Sequence, residues 1–224
     1  MTRLRSNPWR RAGGRDTKTW LPDDAGSFGD AKTRLQTEPS EDGLCDLVLQ
    51  LPDERRVALR RMGLGGMWTM PFIGADGWVY LFSAGDPMKD ILAELTKETA
   101  DFEWSVHLPW TEAVGWLLWR RRRSYVYRMP KYFPLEKNKA TRSIIDRLVP
   151  LNAMTDWTRI LAKAKRIMDK SLYEAFAALV GKLGKSHLLD DACPDISSFN
   201  IMQDAEGNIV LLDAVCPLNP TRVL

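Results

Sequence analysis

Asp195, Asn200 and Asp213 are the residues whose types and spacing point most directly to chemistry. Four residues separate Asp195 from Asn200 in Asp195-Ile-Ser-Ser-Phe-Asn200-Ile-Met, and twelve more lead to Asp213, which closes the apolar run Ile209-Val-Leu-Leu-Asp213. The stretch between them reads as strand, a turn at Asp204-Ala-Glu-Gly-Asn208, then strand. Such a hairpin returns the second carboxylate beside the loop that carries the first, as shared chelation of a metal requires. Asp and Asn also favour turns for purely local reasons, so the spacing and not the residue types carries the signal.

The elements that must hold this hairpin are legible upstream. Residues 1–45 are rich in Gly, Pro, Asp, Ser and Arg, with isolated apolar residues such as Trp9, Trp20 and Phe28, and are expected to form a basic, partly disordered arm. Leu47-Val-Leu-Gln-Leu51, Val57-Ala-Leu59, Met67 to Ile73 and Trp78-Val-Tyr-Leu-Phe82, punctuated by Gly63-Leu-Gly-Gly66 and Gly74-Ala-Asp-Gly77, predict a small antiparallel sheet. Asp86-Pro87 predicts a helix start, because aspartate caps open N–H groups and proline is tolerated in the first turn. Met88, Ile91, Leu92 and Leu95 then share a face that should lie on the sheet.

Gly115-Trp-Leu-Leu-Trp119 and Tyr125-Val-Tyr127 predict a second pair of strands joined by the run Arg120 to Arg123, and Met129-Pro-Lys-Tyr-Phe-Pro134 is expected to break regular structure. Beyond it, Trp157, Ile160, Leu161, Ala164 and Met168 form one helical stripe, and Leu172, Phe176, Leu179, Val180 and Leu183 another. Ser171 and Glu174 have capping-box spacing at the start of the second helix, which Gly181 and Gly184 could stop.

This order resembles the protein-kinase-like fold over roughly residues 57–215, with 195–213 as the specific part. The resemblance implies a compact α+β fold of two lobes: a sheet-rich N-lobe with one helix over 46–130 and a helical C-lobe with a catalytic hairpin over 131–224. In kinases the loop H-R-D-x-x-x-x-N supplies an aspartate that accepts the proton of the substrate hydroxyl; its asparagine and the D-F-G aspartate hold Mg²⁺ on the ATP phosphates. By matching position, Asp195 becomes the base, Asn200 and Asp213 the metal ligands, and ATP and Mg²⁺ the expected cofactors. The turn holding Gly63, Gly65 and Gly66 would cover the phosphates, Glu94 or Glu98 would be the helix glutamate, and Tyr127 to Tyr132, Met129 included, would contact adenine. The phrase Asp-x-x-Ser-x-Asn-Ile-Met in a small basic chain looks most like the early serine/threonine protein kinases of T7-like bacteriophages. Those phosphorylate host proteins in the bacterial cytoplasm, and some contribute to shutting off host transcription.

The chain departs from that pattern in several places. The third glycine of the phosphate loop is replaced by Trp68, and the strand Trp78 to Ser83 holds no lysine. Arg60, Arg61 and Lys89 are the nearest substitutes and read as ordinary surface charges. Cys193 stands where the loop histidine would, Ser197 and Ser198 where a loop lysine would, and the eleven residues after Asp213 leave no room for an A-P-E segment. These departures motivate a second expectation: a pseudokinase-like binding protein that inhibits a host protein such as a transcription component. A small-molecule phosphotransferase is a third.

Composition bounds these readings. With 224 residues and 45% apolar content, the chain can bury a core, and its formal charge of +3 is concentrated early, six Arg or Lys against one Asp in residues 1–20. Three cysteines without C-x-x-C spacing favour a reducing cytoplasm; Cys193, Cys216 and His187 lack the fourth ligand of a zinc site. No apolar run has the length of a membrane span. Arg120 to Arg123 among Trp116, Trp119, Tyr125 and Tyr127 suits an acidic protein partner, or less well a nucleic acid, and Trp9 and Trp20 could anchor a partner.

Overall fold

The computed structural model describes residues 33–39, 45–62, 69–83, 86–119, 122–135, 139–190 and 192–217. Trp9, Trp20, Gly63, Gly65, Gly66, Trp68, Arg120 and Arg121 lie outside these residues. Seven strands form one antiparallel sheet: β1 (Arg34–Pro39), β2 (Cys45–Gln50), β3 (Arg56–Arg61), β4 (Thr69–Gly74), β5 (Val79–Ser83), β6 (Glu112–Trp119) and β7 (Arg122–Met129), in the order β1-β2-β3-β4-β5-β7-β6.

Alternation explains the inner face. In β3, Val57 and Leu59 are buried between exposed neighbours, and in β4 Met70 and Phe72 are buried between half-buried ones. They meet Leu35, Leu49, Tyr80, Phe82, Leu117 and Val126 in one cluster. The β4–β5 turn is held by Gly77 at φ 85°, which a side chain would strain, and by Asp76, whose carboxylate accepts from Trp78 N–H at 3.2 Å and from the Tyr80 hydroxyl at 2.7 Å. A bulge between Ala113 and Gly115 bends β6. The outer strands then nearly close into a barrel, with Thr33 donating from both its N–H and its hydroxyl to the Trp116 carbonyl at 3.2 and 3.0 Å.

All five residues of β5 are buried because its other face is covered as well. There α1 (Pro87–Thr99) sets Ala93 against Val79, Leu81 and Tyr127. Asp86 caps α1 as expected, accepting from Met88 N–H at 3.0 Å. The C-terminal part contains α2 (Lys139–Leu148), α3 (Trp157–Ile167) and α4 (Lys170–Lys185). It also holds a three-stranded sheet, β11-β10-β8, made of β8 (Phe133–Pro134), β10 (Ile201–Gln203) and β11 (Ile209–Leu211), and a ladder of β9 (Ala192–Pro194) with β12 (Val215–Pro217).

The expected α+β fold of two kinase-like lobes is not what forms. Strands outnumber α-helices twelve to four among the described residues, and the large sheet is a nearly closed barrel. Two causes are physical. Arg34–Pro39, inside the stretch read as an arm, pairs with β2 and supplies the edge that closes on Trp116. The predicted break at 129–134 is also a junction, since β8 pairs with β10. Met88, Ile91, Leu92 and Leu95 of α1 then share one core with Ile160 and Ala164 of α3, Leu172, Phe176 and Leu179 of α4, and Leu211 and Val215. A core continuous across the supposed hinge leaves no second lobe.

Candidate functional site

The β9–β12 ladder sets Cys193 opposite Cys216 and Pro194 opposite Val215. It continues one step further, where Asp195 N–H donates to the Ala214 carbonyl at 2.9 Å, so Asp195 and Asp213 leave the ladder beside each other. The loop between turns back on itself: Asn200 and Ile201 N–H both donate to the Ser197 carbonyl, at 3.1 and 3.0 Å. Asn200 then ties the parts together. Its side-chain amide donates to the Asp195 carbonyl at 2.8 Å, and its own carbonyl accepts from Leu212 N–H at 2.9 Å and Asp213 N–H at 3.3 Å. The expected hairpin is present, with Ile201 opposite Leu211 and Gln203 opposite Ile209, and the Asp204 carboxylate closing its turn on Glu206 and Asn208 N–H.

Asn152 fastens the loop to the helices. Its amide donates to the Ile196 carbonyl at 2.7 Å and accepts from Ile196 N–H at 2.8 Å, so one side chain satisfies both backbone groups next to Asp195. Nothing in the sequence marks Asn152 for this role.

Lys89 completes the cluster. It lies three residues beyond the cap of α1, is 2% exposed, and sets its Nζ 2.6 Å from Asp213 Oδ1, joining the helix to the hairpin across 124 residues of sequence. Burial pulls its ammonium towards the neutral form, but the Asp213 and Asp86 carboxylates more than offset this and hold it protonated above the ordinary lysine value. The buried Asp86 carboxyl is pushed up by desolvation, an effect the Lys89 charge opposes. The reading of Lys89 as a surface charge is therefore reversed. The signal in the sequence is its helical spacing: Lys89 precedes Leu92 and Ala93 by three and four residues, on the stripe that α1 buries.

The oxygens suit a hard cation. The Asp213 carboxylate is 45% exposed, and its Oδ2, the Asn200 side-chain carbonyl and the Asp195 carboxylate have no partner among the described residues. Two carboxylates and an amide carbonyl fit Mg²⁺ better than a soft metal. No group of three His, Cys, Asp or Glu residues converges on a metal position among the described residues. The paired cysteines are thiols, pushed up by burial and by the Asp195 charge, Cys216 to about 11.

Other expected site residues stand elsewhere. Tyr127 and Met129 are buried between sheet and helix; the Tyr127 hydroxyl donates to Asp90 at 2.6 Å, so these side chains are packing and present no adenine surface. Glu94 and Glu98 both bind Lys182 of α4, at 2.8 and 2.6 Å, and clamp α1 to α4 instead of facing Lys89. A cavity of about 130 Å³ lined by Ile144, Leu148, Met168 and Leu172 shares no residue with the Asp195 cluster.

No protein-family model, curated protein or solved structure matches the chain. Among the described residues no helix is long and apolar enough to cross a membrane.

Proposed function

We propose that the chain is an ATP- and Mg²⁺-dependent phosphotransferase acting on serine or threonine hydroxyls of a protein in the cytoplasm. The observation that carries this reading is the Lys89–Asp213 pair at 2.6 Å beside Asn200 and Asp195. A buried ion pair adds little net stability over apolar residues of the same volume, so packing alone gives no reason to place an ammonium here. A phosphotransferase has one, because it needs a lysine near the metal-binding aspartate. The kinase-like spacing of residues 195–213 supports the same reading, which needs the site and not the two-lobe architecture.

Bound MgATP would supply the transferable phosphoryl group and the divalent charge that shields it. Asp195, held by Asn200 and Asn152, accepts the hydroxyl proton. Asn200 and Asp213 would hold the metal through their oxygens, and Lys89, buried against Asp213, positions that carboxylate. Labelled ATP should transfer phosphate to a generic protein substrate, MgATP should raise the thermal midpoint, and Asp213→Asn should abolish transfer. Full transfer by that variant overturns the reading.

A second reading, a binding protein that docks on and inhibits a host protein without turnover, is favoured by one observation: Phe199, between Asp195 and Asn200, is 80% exposed. An apolar side chain held out beside the loop suits a contact with a partner. No transfer and no MgATP shift in the wild type, with partner capture lost in Phe199→Ser, would establish it over the first.

A further inference from the structure

The β9–β12 ladder pairs Cys193 with Cys216, and both side chains are half-buried thiols. Ala192, Pro194 and Val215 take the buried face of these strands, so the two thiols share the other face, where a small solute can reach them. Packing gives no reason for two sulfurs there, because a thiol packs as a small apolar group and belongs on the buried face. Asp195 N–H donates to the Ala214 carbonyl, which marks 195 and 214 as a hydrogen-bonded pair. Such pairs recur at every second residue, so 193 and 216 form another, with Cα atoms about 5.5 Å apart. A disulfide commonly spans that separation, and closes there by side-chain rotation alone. After burial and the Asp195 charge, Cys193 is the next cause of the raised Cys216 value, as expected of neighbouring sulfurs.

The ladder has few other fastenings. Its strands are three residues each and form a two-stranded sheet, a ribbon of marginal stability by itself. Pro194 and Pro217 stand at positions whose N–H would point away from the partner strand, so no third strand can find a donor there. Asp195 and Asp213 both leave from this ribbon. We propose that Cys193 and Cys216 are a disulfide site: a reversible cross-strand bond that braces the ladder under oxidising conditions, with glutathione disulfide as the oxidant. The thiolate of one cysteine attacks a sulfur of glutathione disulfide and expels one glutathione thiolate; the second cysteine's thiolate attacks the mixed disulfide and expels the other. The two protein thiols thereby lose two electrons and two protons, and one glutathione disulfide becomes two molecules of glutathione. The bond closes the loop over residues 194–215 and does not depend on the phosphotransferase reading.

Burial and then the Asp195 charge hold both thiols protonated, so the exchange quickens as pH rises. The test treats the full reduced chain with glutathione disulfide at about pH 9, returns it to neutral buffer, blocks the remaining thiols and cleaves after glutamates. Cleavage at Glu206 puts the two cysteines on separate peptides, 175–206 and 207–224, which should travel as one species until dithiothreitol parts them. The uncleaved oxidised chain should melt roughly 5–10 °C above the reduced one. Cys193→Ser and Cys216→Ser should each lose the linked species and the gain, whereas Cys45→Ser should keep both. The peptide map of the wild type decides the matter even where a serine variant folds poorly. Glutathione adducts without the 193–216 link, a link through Cys45 in its place, or a linked chain that melts no higher than the reduced one overturns the proposal.

Discussion

The Lys89 ammonium is 2% exposed whereas its partner's carboxylate is 45% exposed, and that asymmetry sets what each substitution should do. Removing Lys89 leaves Asp213 able to hydrate and Asp86 able to take up a proton; removing Asp213 leaves a buried cation with only Asp86 beside it. Lys89→Met should thus cost less than about 1 kcal/mol and Asp213→Asn about 2–4 kcal/mol in urea unfolding. Equal losses would refute this account of the pair. The pH dependence follows from the raised folded-state value of Lys89. Its contribution is fully present below the unfolded lysine value of about 10.4 and is lost as pH rises through the folded value. Tyr80 and Tyr127, also held above their ordinary value chiefly by burial, add to the alkaline loss, so Lys89→Met should remove only part of the decline in urea midpoint between pH 9 and 11. Asp195, Asn200 and Asp213 could be chosen from the sequence because their separations are local to one hairpin. Lys89 could not, since its partner is 124 residues away and long basic side chains are usually solvated.

Helix termini illustrate what local rules capture among the elements. Asp86 caps α1 as its Asp-Pro signal predicts, but α4 begins at Lys170 with Asp169 as cap, its carboxylate accepting from Leu172 N–H at 2.8 Å; Ser171 lies inside the helix. The capping-box spacing of Ser171 and Glu174 was a competing signal two residues too late, and the aspartate prevailed because it sits where the chain is still extended. Asp169→Ala should cost about 1 kcal/mol and Ser171→Ala under about 0.5 kcal/mol, measured as a shift in urea midpoint; the reverse order would restore the serine as cap. The apolar stripes of α1, α3 and α4 were readable from their period. By contrast, α2 is ten residues long with Ala140, Ile144, Ile145 and Leu148 as its apolar residues, too short a pattern to read as a stripe, and β8 is two residues long and exists only through its pairing with β10.

For the whole molecule, barrel closure is the decisive feature. Leu35 of β1 is 6% exposed within the barrel core, so Leu35→Ala should cost about 2–3 kcal/mol in urea unfolding, as deletion of a buried leucine does. A change under about 0.5 kcal/mol would show that β1 is not integral to the sheet. The sequence by itself determined the strands from β2 to β7, three of the helices, the hairpin and the three residues placed around it, because each rests on a period of two or 3.6, a turn or a fixed short spacing. Tertiary structure alone decided that Arg34–Pro39 pairs instead of trailing, that Thr33 meets Trp116, that one core runs through α1, α3 and α4, and that Lys89 is buried against Asp213. Those outcomes depend on which apolar faces cover one another and which charge is left to be paired, quantities that belong to distant residues jointly and have no local signature.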